Sequence, residues 1–164
     1  MKLLQVIVEA PKGSPVKYKY DPSTGMYKLH KALPMGMVFP FDFGFVPGTL
    51  GEDGDPLDVL VVSEFTTFPG CQVEVRIIGA MQVEQTARPG GRKFIINDRF
   101  IAIPTVSRYF GTVRSVKGLP AKALQEVEDF FFNYLAAEGK VFKMKRLMPA
   151  GAAIKLISRA YSKE

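Results

Sequence analysis

The sequence predicts an α+β domain whose sheet is a small barrel, because strand-like segments come first and helical segments come last. Five or six short segments with strand spacing precede any clear helix. Helical spacing begins only after Leu119-Pro120, and a second helical segment follows Pro149. The length of 164 residues matches one ordinary domain, so we expect residues 1–164 to fold as a single unit.

The predicted strands are runs rich in Val, Ile and Tyr that lie between turn signals. Residues 3–9 form the first strand. Segments 17–20 and 26–29 flank an Asp-Pro-Ser-Thr-Gly turn, which predicts a hairpin. The apolar run from Leu57 to Val62 is too short for a helix and predicts a buried strand. Further strands are predicted at 72–83, 93–96 and 100–103.

Two helices are predicted near the C-terminus. The first carries apolar residues at helical spacing, namely Leu124, Val127, Phe131, Tyr134 and Leu135. Gly139 supplies its stop signal. Three consecutive phenylalanines, residues 130–132, fall in this helix, where core packing or a subunit contact is favoured over stacking on bases. In the second helix Ile154, Ile157 and Tyr161 share one face.

The composition is that of a globular protein, with 47% hydrophobic and 23% charged residues, which argues against a disordered or fibrous chain. The N-terminus meets Glu9 too early for a signal peptide, and no apolar run reaches membrane-spanning length, so we expect a cytoplasmic protein without a membrane partner. Cys71 is the single cysteine, which excludes an internal disulfide and a thiolate zinc site. The formal charge of +6 favours polyanionic partners without selecting one.

The segment Asp53-Gly54-Asp55-Pro56-Leu57-Asp58 places three carboxylates at one turn, directly before an apolar strand. Carboxylates held this close repel one another unless cations or protons compensate them, and hard oxygen ligands suit Mg²⁺ or Mn²⁺. An EF-hand is rejected because its sixth position would be Asp58 and not glycine. A solvated turn without a ligand is the alternative interpretation.

This acidic segment, followed by Val59-Leu60-Val61, resembles the signature of soluble family I inorganic pyrophosphatases. Similarity continues through residues 8–11, 17–18, 39–40, 43–50, 68–70, 75–76, 101–104 and 130–134. The resemblance implies an OB-like five-stranded β-barrel with flanking α-helices. It also implies Mg²⁺-dependent hydrolysis of pyrophosphate to two phosphates, with Mn²⁺ as an alternative metal, and a homo-oligomer, with a hexamer favoured.

The resemblance further implies roles for nine residues. Asp55 is the expected base that accepts a proton from the attacking water. The expected metal residues are Asp53, Asp58, Asp98 and, in the outer sphere, Glu9. The expected substrate residues are Lys17, Lys31, Arg76 and Tyr134.

Several positions depart from the family pattern. The changes are Lys19 for glutamate, Lys31 for arginine, Phe39 and Phe43 for tyrosine, Gln85 and Asn97 for aspartate, and Leu135 for lysine. Replacing glutamate by lysine adds two charge units and each aspartate-to-amide change adds one, so the site should be roughly four units less negative. A second hypothesis is therefore a paralogue that binds phosphate or pyrophosphate with weak or no hydrolysis.

A third hypothesis is an OB-type nucleic-acid binder, because a basic run surrounds Phe142 as a stacking ring. The run consists of Lys140, Lys143, Lys145 and Arg146. Lysines on a strand edge that discourage edge pairing are the favoured interpretation, so nucleic acid is not an expected partner. His30, the sole histidine, is expected to be an exposed polar residue without a role.

Overall fold

A computed structural model describes residues 2–161 and contains, within that range, nine strands and two α-helices. The strands are β1 (Leu3–Ala10), β2 (Val16–Asp21), β3 (Met26–Ala32), β4 (Asp42–Phe45), β5 (Asp58–Val61), β6 (Gln72–Thr86), β7 (Phe94–Ile96), β8 (Arg99–Pro104) and β9 (Phe142–Pro149). The helices are α1 (Ala121–Ala136) and α2 (Ala150–Ala160).

Five strands close into a ring in the order β1, β4, β5, β8, β6 and back to β1. Strands β7 and β9 both pair with β6, outside this ring, while β2 and β3 form a separate hairpin. Neighbours in the ring are antiparallel except β5 and β8, which are parallel. The predicted OB-like five-stranded barrel and the predicted hairpin are confirmed.

The barrel wall is apolar on both faces, which explains the unbroken apolar run in β5. Leu60 and Ile101 belong to a cluster that includes α1, whereas Val59 and Phe100 belong to a cluster that includes α2. Alternate residues of β5 and β8 therefore enter different clusters. This pattern is typical of a parallel strand pair that is covered on both sides.

Both predicted helices are present. The buried face of α1 is formed by Val127, Phe130, Phe131, Tyr134 and Leu135, whereas Phe132 is exposed. Helix α2 ends at Ala160, so the prediction that Tyr161 belongs to its apolar face is wrong; the buried residues of α2 are Ala153 and Ile157. Within residues 2–161, neither helix is long and apolar enough to cross a membrane.

Candidate active site

The acidic segment folds into a tight turn that ends at the first residue of β5. The Gly51 backbone N–H donates to the Asp55 carbonyl at 2.8 Å, and the Asp55 N–H donates to Asp53 Oδ1 at 3.0 Å. Gly54 has φ +83°, a left-handed conformation that side chains disfavour. Asp53 thus stabilises the turn by the local side-chain-to-backbone bond typical of aspartate.

This turn borders two adjoining hollows of about 100 Å³ each. Both hollows are lined by Lys17 and Lys31 of the β2–β3 hairpin together with Asp55 and Asp58. We refer to the two hollows together as the polar cavity. Its other charged, amide and aromatic-hydroxyl residues are Glu9, Lys19, Asp53, Gln85, Asn97, Arg99, Tyr134, Glu138 and Lys140. The acidic turn therefore faces basic side chains and does not lie alone in solvent.

The charges of the polar cavity balance. Its carboxylates are Glu9, Asp53, Asp55, Asp58 and Glu138, and its cations are Lys17, Lys19, Lys31, Arg99 and Lys140. Among the lining residues that the structure describes, five negative groups thus face five positive groups. The loss of negative charge expected from the substitutions has produced a cavity that is neutral by formal count.

The most buried ion pair of the polar cavity joins Asp58 to Arg99. The Arg99 Nη1 atom lies 3.1 Å from Asp58 Oδ2, and the two side chains are only 4% and 15% exposed. Arg99 also donates to the Asn97 carbonyl at 2.7 Å and to Gln85 Oε1 at 3.2 Å. Its guanidinium carbon lies 4.9 Å from the centre of the Phe131 ring. Arg99 is therefore fixed in place, beside a carboxylate that the family resemblance assigns to a metal.

The other two aspartates of the turn also have nitrogen partners. Asn97 Nδ2 donates to Asp53 Oδ2 at 3.2 Å, and Lys19 Nζ lies 3.6 Å from Asp55 Oδ1. The Asp55 pair is more exposed, since its two side chains are 44% and 59% accessible. Both nitrogens thus contact carboxylate oxygens that a bound cation would also need.

The two remaining carboxylates are paired at the cavity wall. Glu9 Oε2 lies 3.7 Å from Lys17 Nζ. Glu138 forms a close ion pair with Lys31 and lies 3.7 Å from Lys140 Nζ. Lys31 Nζ also lies 5.6 Å from the centre of the Tyr134 ring, within cation–π range. Lys31 and Tyr134 thus occupy one wall, as their expected substrate roles require.

Burial and neighbouring charge shift the pKa values of the cavity. Burial raises the pKa of the Glu9 carboxyl, although Lys17 opposes this effect. Burial also raises the pKa of Asp53, and the adjacent carboxylates of Asp58 and Asp55 add to that rise. For Lys17 burial acts to lower the pKa, but Asp58 and Glu9 outweigh it and the pKa is raised. Lys17 therefore stays charged at neutral pH and can contact an anion.

Two predicted site residues lie elsewhere. Arg76 donates to the backbone carbonyls of Gly111 and Val113 at 3.2 and 2.7 Å. Gln85 lies nine positions further along β6, which corresponds to about 30 Å of extended strand. Asp98 Oδ1 accepts a 2.9 Å hydrogen bond from the Val83 N–H. Each of these side chains is bonded to backbone groups, and neither is among the residues that line the polar cavity.

The two tyrosine-to-phenylalanine positions are part of the packing against α1. Phe39 and Phe43 are 1% and 3% exposed, and their ring centres lie 5.1 Å from Phe130 and 5.6 Å from Phe131, respectively. Phe43 also borders the polar cavity, with Lys17 Nζ 5.1 Å from its ring centre. Both rings belong to the apolar cluster that includes α1, and neither carries the hydroxyl group that the family pattern expects.

Sequence reasoning missed Arg99 as a site residue. In the parallel pair of β5 and β8, Val59 lies opposite Phe100. The residues that precede them, Asp58 and Arg99, therefore begin neighbouring strands and meet. The available signal was an arginine directly before a predicted buried strand, but its partner could be identified only once the strand pairing was known.

The structure does not support Phe142 as a stacking ring, because this side chain is only 5% exposed and packs in the α1 cluster. Of the basic run around it, Lys140 pairs with Glu138 and Lys145 with Glu84. His30 is exposed as expected, and it lines the polar cavity, where burial and the neighbouring lysines lower its pKa. The predicted single-strand nucleic-acid surface therefore lacks its aromatic component.

The side chains of the acidic turn are chemically suited to a divalent cation, since Asp53, Asp55 and Asp58 present hard carboxylate oxygens to one hollow. Within the described range, however, no three acidic, histidine or cysteine side chains converge as a ligand group. Asp53, Asp55 and Asp58 instead contact nitrogens of Asn97, Lys19 and Arg99, respectively. The donor set fits a cation once those contacts are exchanged, and rotation of the Asn97 amide would offer its oxygen as well.

Comparison with known proteins identifies relatives over nearly the whole chain. The family model described as inorganic pyrophosphatase matches residues 6–163. The inorganic pyrophosphatase of Halalkalibacterium halodurans is 36% identical over 162 residues, which cover 99% of this chain and 95% of that protein. The crystal structure of inorganic pyrophosphatase from Thermus thermophilus superposes with a TM-score of 0.87 at 33% identity, covering 97% of this chain and 89% of that one. The Helicobacter pylori inorganic pyrophosphatase gives a TM-score of 0.88 at 29% identity, with coverage of 98% and 92%.

Proposed function

This chain belongs to the inorganic pyrophosphatase family, and we propose that it hydrolyses inorganic pyrophosphate to two phosphates in the polar cavity. One observation carries the proposal most directly. The aspartates of the acidic turn border the same hollow as Lys17, Lys31 and Tyr134. A phosphoric anhydride needs both features, because its negative charge repels an attacking nucleophile until cations neutralise it.

In the proposed reaction Lys17, Lys31 and Tyr134 bind the phosphoryl oxygens. Asp55 accepts the proton of the attacking water. The water oxygen forms a bond to one phosphorus while the bond from that phosphorus to the bridging oxygen breaks, and the leaving phosphate takes the electron pair. A divalent cation, Mg²⁺ or alternatively Mn²⁺, held by Asp53 and Asp58 with Glu9 in the outer sphere, would neutralise substrate charge and acidify the attacking water.

The test is release of phosphate from pyrophosphate with Mg²⁺ or Mn²⁺ present. We expect Asp55→Asn to lower the rate by about 100-fold or more, which is the usual contribution of a positioned base. Asp21→Asn is the matched control, because Asp21 lies at the outer end of the hairpin and contacts Ser23 and Lys28 outside the cavity. Equal rates for the wild type and Asp55→Asn would reject the assignment of Asp55.

A second candidate function is binding of phosphate or pyrophosphate with little hydrolysis. It is favoured by the contact of Arg99 with Asp58 and by the amides Gln85 and Asn97 at positions where the family resemblance expects aspartates. Calorimetry with pyrophosphate distinguishes the two functions. Tight binding without phosphate release supports this candidate, and rapid turnover excludes it.

We also propose that residues 1–164 form one domain, that the protein is cytoplasmic, and that it assembles as a homo-oligomer, with the hexamer favoured by family resemblance. Light scattering on the purified protein measures the assembly. A monomeric mass at micromolar concentration would contradict the oligomer.

A further inference from the structure

The ion pairs of the polar cavity constrain the order in which ligands can enter it. Every carboxylate of the cavity contacts a nitrogen of another side chain of the chain itself: Glu9 with Lys17, Asp53 with Asn97, Asp55 with Lys19, Asp58 with Arg99, and Glu138 with Lys31 and Lys140. A divalent cation that enters alone must take a carboxylate from its partner and leave a protein cation uncompensated. An anion that enters alone meets the same difficulty with opposite sign.

The cost of separating these partners depends on depth. Arg99 and Asp58 are 4% and 15% exposed, and removing one partner of such a buried pair is strongly unfavourable because the other charge stays desolvated. Lys19 and Asp55 are far more exposed, so water can compensate them separately. The Asp58–Arg99 pair therefore sets most of the barrier to a cation that arrives alone.

We propose that a pyrophosphate-like anion and a divalent cation enter this cavity together by exchanging ion-pair partners. The anion takes Lys17, Lys31 and Arg99 from their carboxylates, and the carboxylates thereby released take the cation. Each ligand then removes the cost of binding the other, so their affinities are positively coupled. The exchange deepens the proposed function because it concerns the same site, but it does not require that the bound anion be hydrolysed.

Arg99 is well placed for such an exchange. Its Nε is buried and has no hydrogen-bond partner within the described part of the chain, while its other nitrogens bind Asp58, Gln85 and the Asn97 carbonyl. A planar guanidinium can bind two oxygens of a phosphoryl group side by side. An anion can therefore bind Arg99 while the guanidinium stays in contact with the Phe131 ring.

The experiment uses Mn²⁺ and methylenediphosphonate, a diphosphonate whose P–C–P linkage is not hydrolysed. Free Mn²⁺ is measured by electron paramagnetic resonance, and diphosphonate binding is measured by calorimetry with EDTA and then with Mn²⁺. A titration without protein gives the affinity of Mn²⁺ for the diphosphonate in solution, so that this complex can be subtracted. We expect each ligand to increase the affinity of the wild-type protein for the other by the same factor, about tenfold or more.

Direct contact between the two bound ligands would also couple them, so the variants carry the decisive result. Arg99→Gln should increase the affinity for Mn²⁺ alone by about fivefold or more and should reduce the coupling factor, because Asp58 is no longer paired. Lys19→Gln should have the same effect to a smaller extent. Because the Lys19 side chain is exposed, this variant should fold as the wild type does. Lys28→Gln is the control, since Lys28 is an exposed lysine of the same hairpin that pairs with Asp21 outside the cavity.

The exchange is overturned if the wild type binds Mn²⁺ equally tightly with and without the diphosphonate. It is also overturned if neither Arg99→Gln nor Lys19→Gln increases the affinity for Mn²⁺ alone. Because both readouts are binding measurements, they are independent of phosphate release. A protein that shows coupling but no turnover would contradict the proposed hydrolysis and support the exchange.

Discussion

Replacing Arg99 by methionine should destabilise the protein strongly without metal and much less with it. The Asp58–Arg99 pair has a nitrogen–oxygen distance of 3.1 Å and is nearly buried, so its direct Coulomb attraction is about 5 kcal/mol at an effective dielectric constant of 20. Methionine retains much of the apolar volume but leaves Asp58 charged and unpaired. The expected loss is about 3–5 kcal/mol, the usual result of breaking a buried pair from one side.

Divalent cation should restore part of this loss. In the variant Asp58 is available to a cation, whereas in the wild type the cation must compete with Arg99. A ligand present at 100 times its dissociation constant stabilises the folded state by about 2.7 kcal/mol. We therefore expect saturating Mg²⁺ to stabilise Arg99→Met by about 2–3 kcal/mol more than it stabilises the wild type.

The assay is urea unfolding followed by far-ultraviolet circular dichroism, since the chain has no tryptophan, in EDTA and then in Mg²⁺. Arg159→Met is the matched control, because Arg159 is an exposed arginine on α2, where the same substitution should change the free energy of unfolding very little. A loss below about 1 kcal/mol in EDTA would show that Arg99 does not compensate Asp58. Equal stabilisation of both proteins by Mg²⁺ would show that Arg99 and the cation do not compete.

Three further predictions concern residues outside the polar cavity. Asp98→Asn should leave Mn²⁺ affinity and phosphate release unchanged within about twofold, because the asparagine oxygen can still accept from the Val83 N–H; a large loss of Mn²⁺ affinity would restore Asp98 as a ligand. Gly79→Ala should cost about 2–3 kcal/mol in urea unfolding, since φ is +153° and a Cβ would lie 2.5 Å from the Met148 carbonyl oxygen. The hydrogen bond from the Ser107 hydroxyl is the chief cause that lowers the pKa of Glu64 from 4.5 to about 2. The contribution of Glu64 to stability is therefore present above pH 4.5 and is lost as the pH falls toward 2. Over that pH range the urea midpoint of Glu64→Gln should fall less steeply than that of the wild type.

The fold could be predicted from local pattern because each element carries its own signal. Alternation in residues 3–9, the turn before residue 26 and the helical spacing from Leu124 to Leu135 all correspond to observed elements. The four-residue strand β4, Asp42–Phe45, was not predicted, since it contains an aspartate and a glycine and is too short to show alternation. Its place in the ring is fixed by pairing with β1 and β5, which no local pattern reveals.

The site could be predicted only as far as its residues are adjacent in sequence or matched a family segment. Asp53, Asp55 and Asp58 satisfy the first condition, and Glu9, Lys17, Lys31 and Tyr134 the second. For Asp98 the position in the sequence did not reveal the direction of the side chain. Adjacent residues of an extended segment point to opposite sides, so Asn97 reaches Asp53 while Asp98 turns to the Val83 backbone.

Arg99 shows why counting substitutions was informative but incomplete. The count predicted a site about four charge units less negative, and from that alone one expects a cavity that binds fewer cations. The structure adds that the charges left behind are matched in pairs, and the deepest pair involves a residue outside the count. A neutral cavity whose charges were far apart would admit a cation and an anion independently. In a neutral cavity whose charges are paired, a ligand that enters alone must separate an ion pair of the protein. The cost is lowest when both ligands enter, because the anion then pairs with the released protein cations and the divalent cation pairs with the released carboxylates. Coupled entry of anion and cation therefore follows from the pairing, whereas net charge alone does not require it.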